Sequence, residues 1–229
     1  MSVENDITNI NLGLKENLMF DLELDKYISK IVVQTRKGTK TYDYEQKTLG
    51  KVEIHKTLIQ GANVVLEYTI KVKNTGEIAG YARNIVDYLP SGLTFSSELN
   101  PDWYLSENNL FTKNLENTLI NPGEEKEIKL VLTKTMTNKN VGLINNRAEI
   151  YEDYNKYGEL DIDSITNNQS QDEDDFGTAD VIIVVATGGN SGTALYFALL
   201  ILNMMLIAMA IRVMFKNRFL RINTKKGRR

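Results

Sequence analysis

ANVVLEYTIKVKNTGE, residues 62–77, alternates in character: Val64, Leu66, Tyr68, Ile70 and Val72 share one parity, while Glu67, Thr69, Lys71 and Lys73 share the other. A period of two sends the first set to one face of a strand and the second to the opposite face. The reading is a strand with one face in a core and one in water, ended by the Asn-Thr-Gly turn at 74–76. Working outward, the same period recurs on both sides. In DLELDKYISKIVV, residues 21–33, Leu22, Leu24, Lys26 and Ile28 fall in phase, so Lys26 is expected to point where the leucines point. KGTK, residues 37–40, reads as a turn into a second short strand, TYDYE, and KVEIHKTLI reads as a strand with His55 at the surface.

Downstream, GYARNIVDYLPSGLTF, residues 80–95, is a strand stopped at Pro90 with Ser91-Gly92 as its turn. Its facing is ambiguous, since Ile85, Asp87 and Leu89 form one set and Val86 and Tyr88 another. Trp103 is expected to cover one end of the core. After the turn NPGEEK, Ile128, Leu130 and Leu132 alternate in EIKLVLTKTM, and Ile144, Asn146, Ala148 and Ile150 alternate in VGLINNRAEIYEDY. That places Asn146 inward and Asn145 outward. Residues 151–180 turn acidic and polar and read as largely loop, before ADVIIVVA supplies a final strand. Short strands at regular spacing, with turns between them and no helical period, predict an all-β, immunoglobulin-like sandwich over residues 21–185.

The C-terminal part has a different character. The run 193–215 (Thr193 to Phe215) holds TALYFALLILNMMLIAMAI, which has no charge and would span a hydrocarbon core of about 30 Å as a helix rising about 1.5 Å per residue. It is expected to enter the lipid bilayer, joined to the sandwich by a flexible link at 186–192. Within it, Asn203 is expected to bond to its own backbone or a neighbouring helix. The tail 216–229 is basic, and with Arg212 the last eighteen residues hold eight Lys and Arg and no acid, which predicts a cytoplasmic tail and an extracellular domain. The residues before Arg212 carry 19 Lys and Arg against all 30 Asp and Glu, a balance that argues against nucleic acid as a partner.

The chain has no cysteine, so disulfides and Cys-based metal sites are excluded, and its one histidine, His55, argues against a His-centred catalytic triad or zinc site. No phosphate-binding glycine loop or paired-carboxylate motif points to an enzyme, and no cofactor is expected. Residues 1–20 contain no secretory signal and read as a connector, so the expectation is a truncated form of a longer repeat protein, with neighbouring repeat domains or surface proteins as partners.

Two inward polar residues, Lys26 and Asn146, together with an acid at Asp87, are the ingredients of a spontaneous Lys–Asn isopeptide bond. Burial lowers the amine's pKa and frees it as a nucleophile; burial raises the acid's pKa, so that it stays protonated and polarises the carboxamide. By analogy with disulfides, closing so long a loop is worth on the order of 4 to 5 kcal/mol. Lysines also snorkel at strand ends and asparagines mark bulges, so both residues have a purely structural reading. The weak calcium candidates Asp161, Asp163 and Asp174 lie in the acidic segment, which otherwise reads as a solvated loop; no EF-hand spacing is present.

The series DLELDK, YTIKVKNTG, VDYLPSGLTF, INPGE and INNRAEI, over about residues 21–150, resembles the repeat domains of Gram-positive surface proteins and the related isopeptide-forming domains of pilins and collagen adhesins. DIDS, NN and EDDFGTADVII resemble the last repeat of clostridial multi-domain surface proteins. The resemblance implies a stalk or adhesive module, and it carries the cross-linking roles onto Lys26, Asp87 and Asn146. It departs from the family's wall-sorting pattern at 184–188, where VVATG lacks the Leu-Pro a sortase requires, so retention by the helix is expected. The alternative class is a surface receptor whose acidic loop or sandwich end captures a ligand.

Overall fold

The structure, a computed structural model, describes residues 18–187 and, beyond them, residues 199, 202–205, 207 and 209. The first segment is all-β: eleven strands in two sheets enclosing one apolar core.

β1 (Leu22–Thr35), β2 (Gly38–Lys47), β4 (Asn63–Asn74), β9 (Glu125–Thr135) and β6 (Thr94–Phe95) form the first sheet, in the order β2-β1-β4-β9-β6. β4 is its centre, antiparallel to both β1 and β9. Val64, Leu66, Tyr68, Ile70 and Val72 are all buried on one face and meet Leu130 and Leu132 of β9, as the alternation requires. On β1 the parity holds from Leu22 to Ile28 and then slips. A bulge between Ile28 and Lys30 inserts Ser29, so that Ile31 and Val33 become the inward set. One extra residue thus lets a long strand keep its apolar side chains in the core on both sides of the irregularity.

β3 (Leu49–His55), β11 (Phe176–Ala186), β10 (Gly142–Tyr154), β5 (Tyr81–Tyr88), β8 (Asn109–Thr112) and β7 (Trp103–Ser106) form the second sheet, in that order. Every pairing in it is antiparallel except β3 with β11, which is parallel from Leu49 opposite Asp180 to His55 opposite Ala186. The sheets meet closely where β1 has no strand partner on its outer edge: the Leu24 amide donates to the Asp174 carbonyl at 2.7 Å, just ahead of β11. Trp103 is buried, its indole N–H donating to the Lys129 carbonyl at 2.8 Å.

The segment 151–180, expected to be largely loop, is so over residues 155–175 and is bounded by strand at both ends. β10 continues to Tyr154 and β11 begins at Phe176, because both ends have antiparallel partners in the sheet. The remainder, residues 155–175, folds back on the outer face of the second sheet. There buried Glu149 accepts the amides of Asn168 (2.6 Å) and Gln169 (3.0 Å) and the Tyr88 hydroxyl, and the Asn167 amide donates to the Ile150 carbonyl. Its other end is tied by a bridge between Phe20 and Asp161.

Residues 1–17 of the connector, residues 188–192 of the link, most of the 193–215 run and the tail 216–229 lie outside the described residues. Residues 199, 202–205, 207 and 209 are helical, and the Asn203 amide donates to the Leu199 carbonyl at 3.3 Å, within its own backbone. Among the described residues no helix is long and apolar enough to cross a membrane.

Candidate functional site: a buried lysine, aspartate and asparagine between the sheets

Lys26 reaches the core from β1 in the first sheet; Asp87 and Asn146 reach it from the neighbouring strands β5 and β10 of the second. The cluster therefore bridges the two halves of the sandwich. Asp87 stands opposite Ala148, two residues along β10 from Asn146, so the two side chains are diagonal neighbours on the inner face. The facing left open by the sequence is settled: Asp87 is inward with Ile85, and Val86 is buried too, on the side the folded-back segment covers. Lys26 is 2 % exposed, and Asp87 and Asn146 are fully buried.

The Lys26 ammonium nitrogen contacts Asp87 Oδ2 directly and lies 4.9 Å from the centre of the Tyr68 ring. Burial dominates the protonation of both partners. It lowers the pKa of Lys26 and raises that of Asp87, each against the opposing pull of the other's charge. Both shifts favour a neutral amine facing a neutral carboxylic acid. The Asn146 carboxamide stands close enough to Asp87 and Tyr68 to lower the pKa of each by polar contact against the effect of burial, although neither of its atoms completes a well-formed hydrogen bond. Asp87 Oδ1 and the Tyr68 hydroxyl are likewise buried without partners. Unsatisfied polar groups are costly in a core, and four such atoms in one cluster are unusual for a site serving packing alone. An amine, a carboxamide and a carboxyl group thus lie together in the core, with the Tyr68 ring beside them.

Tyr68 is the member that sequence reasoning missed. Its parity on β4 marked it as inward, but nothing in the pattern set its hydroxyl beside Asn146; burial raises its pKa as well.

Among the acidic residues, Asp161, Asp163 and Asp174 do come together, joined by Asp21 ahead of β1: one carboxylate oxygen from each lies within 4.8 Å of the others. Asp161 accepts the Leu22 amide (2.9 Å), and Asp174 accepts the Ser164 hydroxyl (2.8 Å). Burial raises both carboxyls, Asp161 to about 6, and Asp175 beside them to about 8. Raised pKa values of this kind let the carboxyls gather by protonation, so the cluster assigns no ion by itself. His55 makes only a local contact, Nδ1 to the Thr57 hydroxyl at 2.8 Å.

The class that this geometry defines is a two-sheet β-sandwich with a polar cluster spanning its core. No protein-family model matches the chain, and no curated protein matches it significantly. Solved structures with some likeness include the crystal structure of the CARDB domain of the PF1109 protein from Pyrococcus furiosus in complex with di-metal ions. It is 17% identical, covers 75% of this chain and all of that domain, and has a TM-score of 0.34. The solution structure of the same domain is 16% identical over 73% of this chain and all of that one, with a TM-score of 0.32. At such scores the likeness carries no argument, and the class rests on this chain's own strands.

Proposed function

We propose that this chain is a cell-surface structural or adhesive module, an immunoglobulin-like sandwich of the kind repeated in Gram-positive surface proteins, held to the membrane by residues 193–215 with the basic tail 216–229 in the cytoplasm. It turns over no substrate. The chemistry it performs is on itself: the neutral Lys26 amine attacks Asn146 Cγ while Asp87 lends its proton to the carboxamide oxygen. A proton of the attacking nitrogen passes by way of the Asp87 carboxylate to the side-chain –NH2, and the bond from Cγ to that nitrogen breaks as the oxygen returns its proton to Asp87. Ammonia leaves, and a secondary amide joins β1 to β10 across the core.

The observation that carries this reading is the contact of Lys26 with Asp87 beside an Asn146 carboxamide that is fully buried and makes no well-formed hydrogen bond. Intact-mass measurement tests it. The chain is expected about 17 Da below its sequence mass, and Lys26→Ala, Asn146→Ala and Asp87→Ala variants at theirs, the mass of ammonia being the signature of amide formation. An unshifted mass for the unaltered chain would reject the bond. For the anchor, support comes from the uncharged run and the cations after it. The chain is expected in the membrane pellet and released by detergent but not by high salt, and removal of residues 193–229 is expected to free the sandwich.

A further inference from the structure

β9 carries a second inward lysine. Lys134 continues the parity of Ile128, Leu130 and Leu132 and is 6 % exposed, yet among the described residues it has no carboxylate partner and its ammonium donates only to the Gly92 carbonyl, at 3.3 Å. It lines a groove of about 650 Å³ at one end of the sandwich, together with Arg147 of β10. The Arg147 guanidinium lies 5.7 Å from the centre of the Tyr88 ring and makes no ion pair among the described residues. No Asp or Glu lines this groove, although acids outnumber cations 30 to 19 ahead of Arg212. Two uncompensated cations thus face an opening from which the domain's prevailing charge is excluded. Ser91, Asn109 and Gln169 also line it, and their side chains make no hydrogen bond among the described residues.

The size suits a ligand of one or two rings. The chemistry suits an anion with hydroxyl groups: a guanidinium grips a carboxylate in two-point fashion, and amides and a hydroxyl take donors and acceptors around a sugar ring. An acidic peptide is the rival occupant, because β10 pairs with β5 only from Arg147 onward and its edge at residues 142–146 is open on the groove side. The hydroxyl and amide groups of the lining favour the saccharide, and the test below separates the two. We propose that this groove binds a carboxylate-bearing saccharide, its carboxylate held by Lys134 and Arg147 and its hydroxyls by Ser91, Asn109 and Gln169. Burial lowers the pKa of Lys134, and an anion placed on it offsets that cost.

The proposal rests on the adhesive reading for its setting only, and the two fail separately, since the groove's variants leave the mass of the chain's Lys26–Asn146 link unaffected. The test is titration of the full chain in detergent micelles, followed by NMR, with 3′-sialyllactose and digalacturonate as acidic probes, lactose as the neutral probe and hexaglutamate as the acidic peptide. At least one acidic saccharide is expected to saturate while lactose does not, and binding is expected to weaken with added salt. Arg147→Gln and Lys134→Met should each weaken it by about tenfold or more, whereas Lys71→Met on the outer face of β4 should not. Should Lys134→Met disturb the core, Arg147→Gln and Asn109→Ala on the walls carry the same comparison. Lactose binding as well as the acidic sugars, hexaglutamate binding more tightly, or no acidic saccharide binding at about 10 mM would each overturn the proposal.

Discussion

A lysine and an aspartate buried in contact are not in themselves a gain in stability, because each lost its hydration to get there. What they dictate is the cost of removing one. Asp87→Ala leaves the neutral Lys26 amine without its partner in the core, and the expected loss is about 1 to 3 kcal/mol in chemical denaturation, with the loss of the cross-link in addition where it forms. Asn146→Ala is more telling. In a chain without the amide bond it deletes a carboxamide that makes no well-formed hydrogen bond, and stability should change by no more than about 1 kcal/mol. In a cross-linked chain the same change opens a long loop and should cost about 4 to 5 kcal/mol. Lys26 and Asn146 were legible from parity because both sit on strands whose apolar partners leave one face open to choice. Asp87 was not, since β5 is covered on both faces, and period two cannot distinguish two buried sides.

At the scale of elements, the approach of β1 to β11 sets the geometry of the cluster. Gly177 faces Ala148 on β10 and stands against β1 so closely that a Cβ there would lie 2.8 Å from the Lys26 backbone nitrogen. Gly177→Ala should therefore push β1 away, lowering stability by about 1 to 3 kcal/mol. It should also reduce the fraction of chain that shows the ammonia loss, which mass spectrometry reads directly. The alternation in β1, β4, β9 and β10 is enough to mark the strands and their faces in the sequence. It could not give the bulge at Ser29, the parallel pairing of β3 with β11, or the seating of residues 155–175 on Glu149, because each depends on a partner distant in sequence. The short strands β7 and β8 around Trp103 were also hidden, four residues each being too few to show a period.

For the molecule as a whole, the acidic segment predicts how stability follows pH. Asp161 and Asp175 have pKa values raised by burial to about 6 and about 8, against the ordinary 3.8. The folded state therefore binds more protons than the unfolded chain between about pH 4 and pH 8, and stability falls as pH rises through that window, levelling off above it. Melting temperature should be higher at pH 5 than at pH 8.5, and Asp175→Asn should flatten most of the difference. A domain that melted higher in alkali would show that these carboxyls are not held protonated. The same architecture has a mechanical side. β1 and β11 lie in different sheets, so tension applied at residues 20 and 186 would shear one layer past the other, with only side-chain contacts and a few edge hydrogen bonds to resist. With Lys26 tied covalently to Asn146, the load would travel through that amide and leave residues 27–145 slack. Such a domain would stretch little under a pull that unravels its unlinked form.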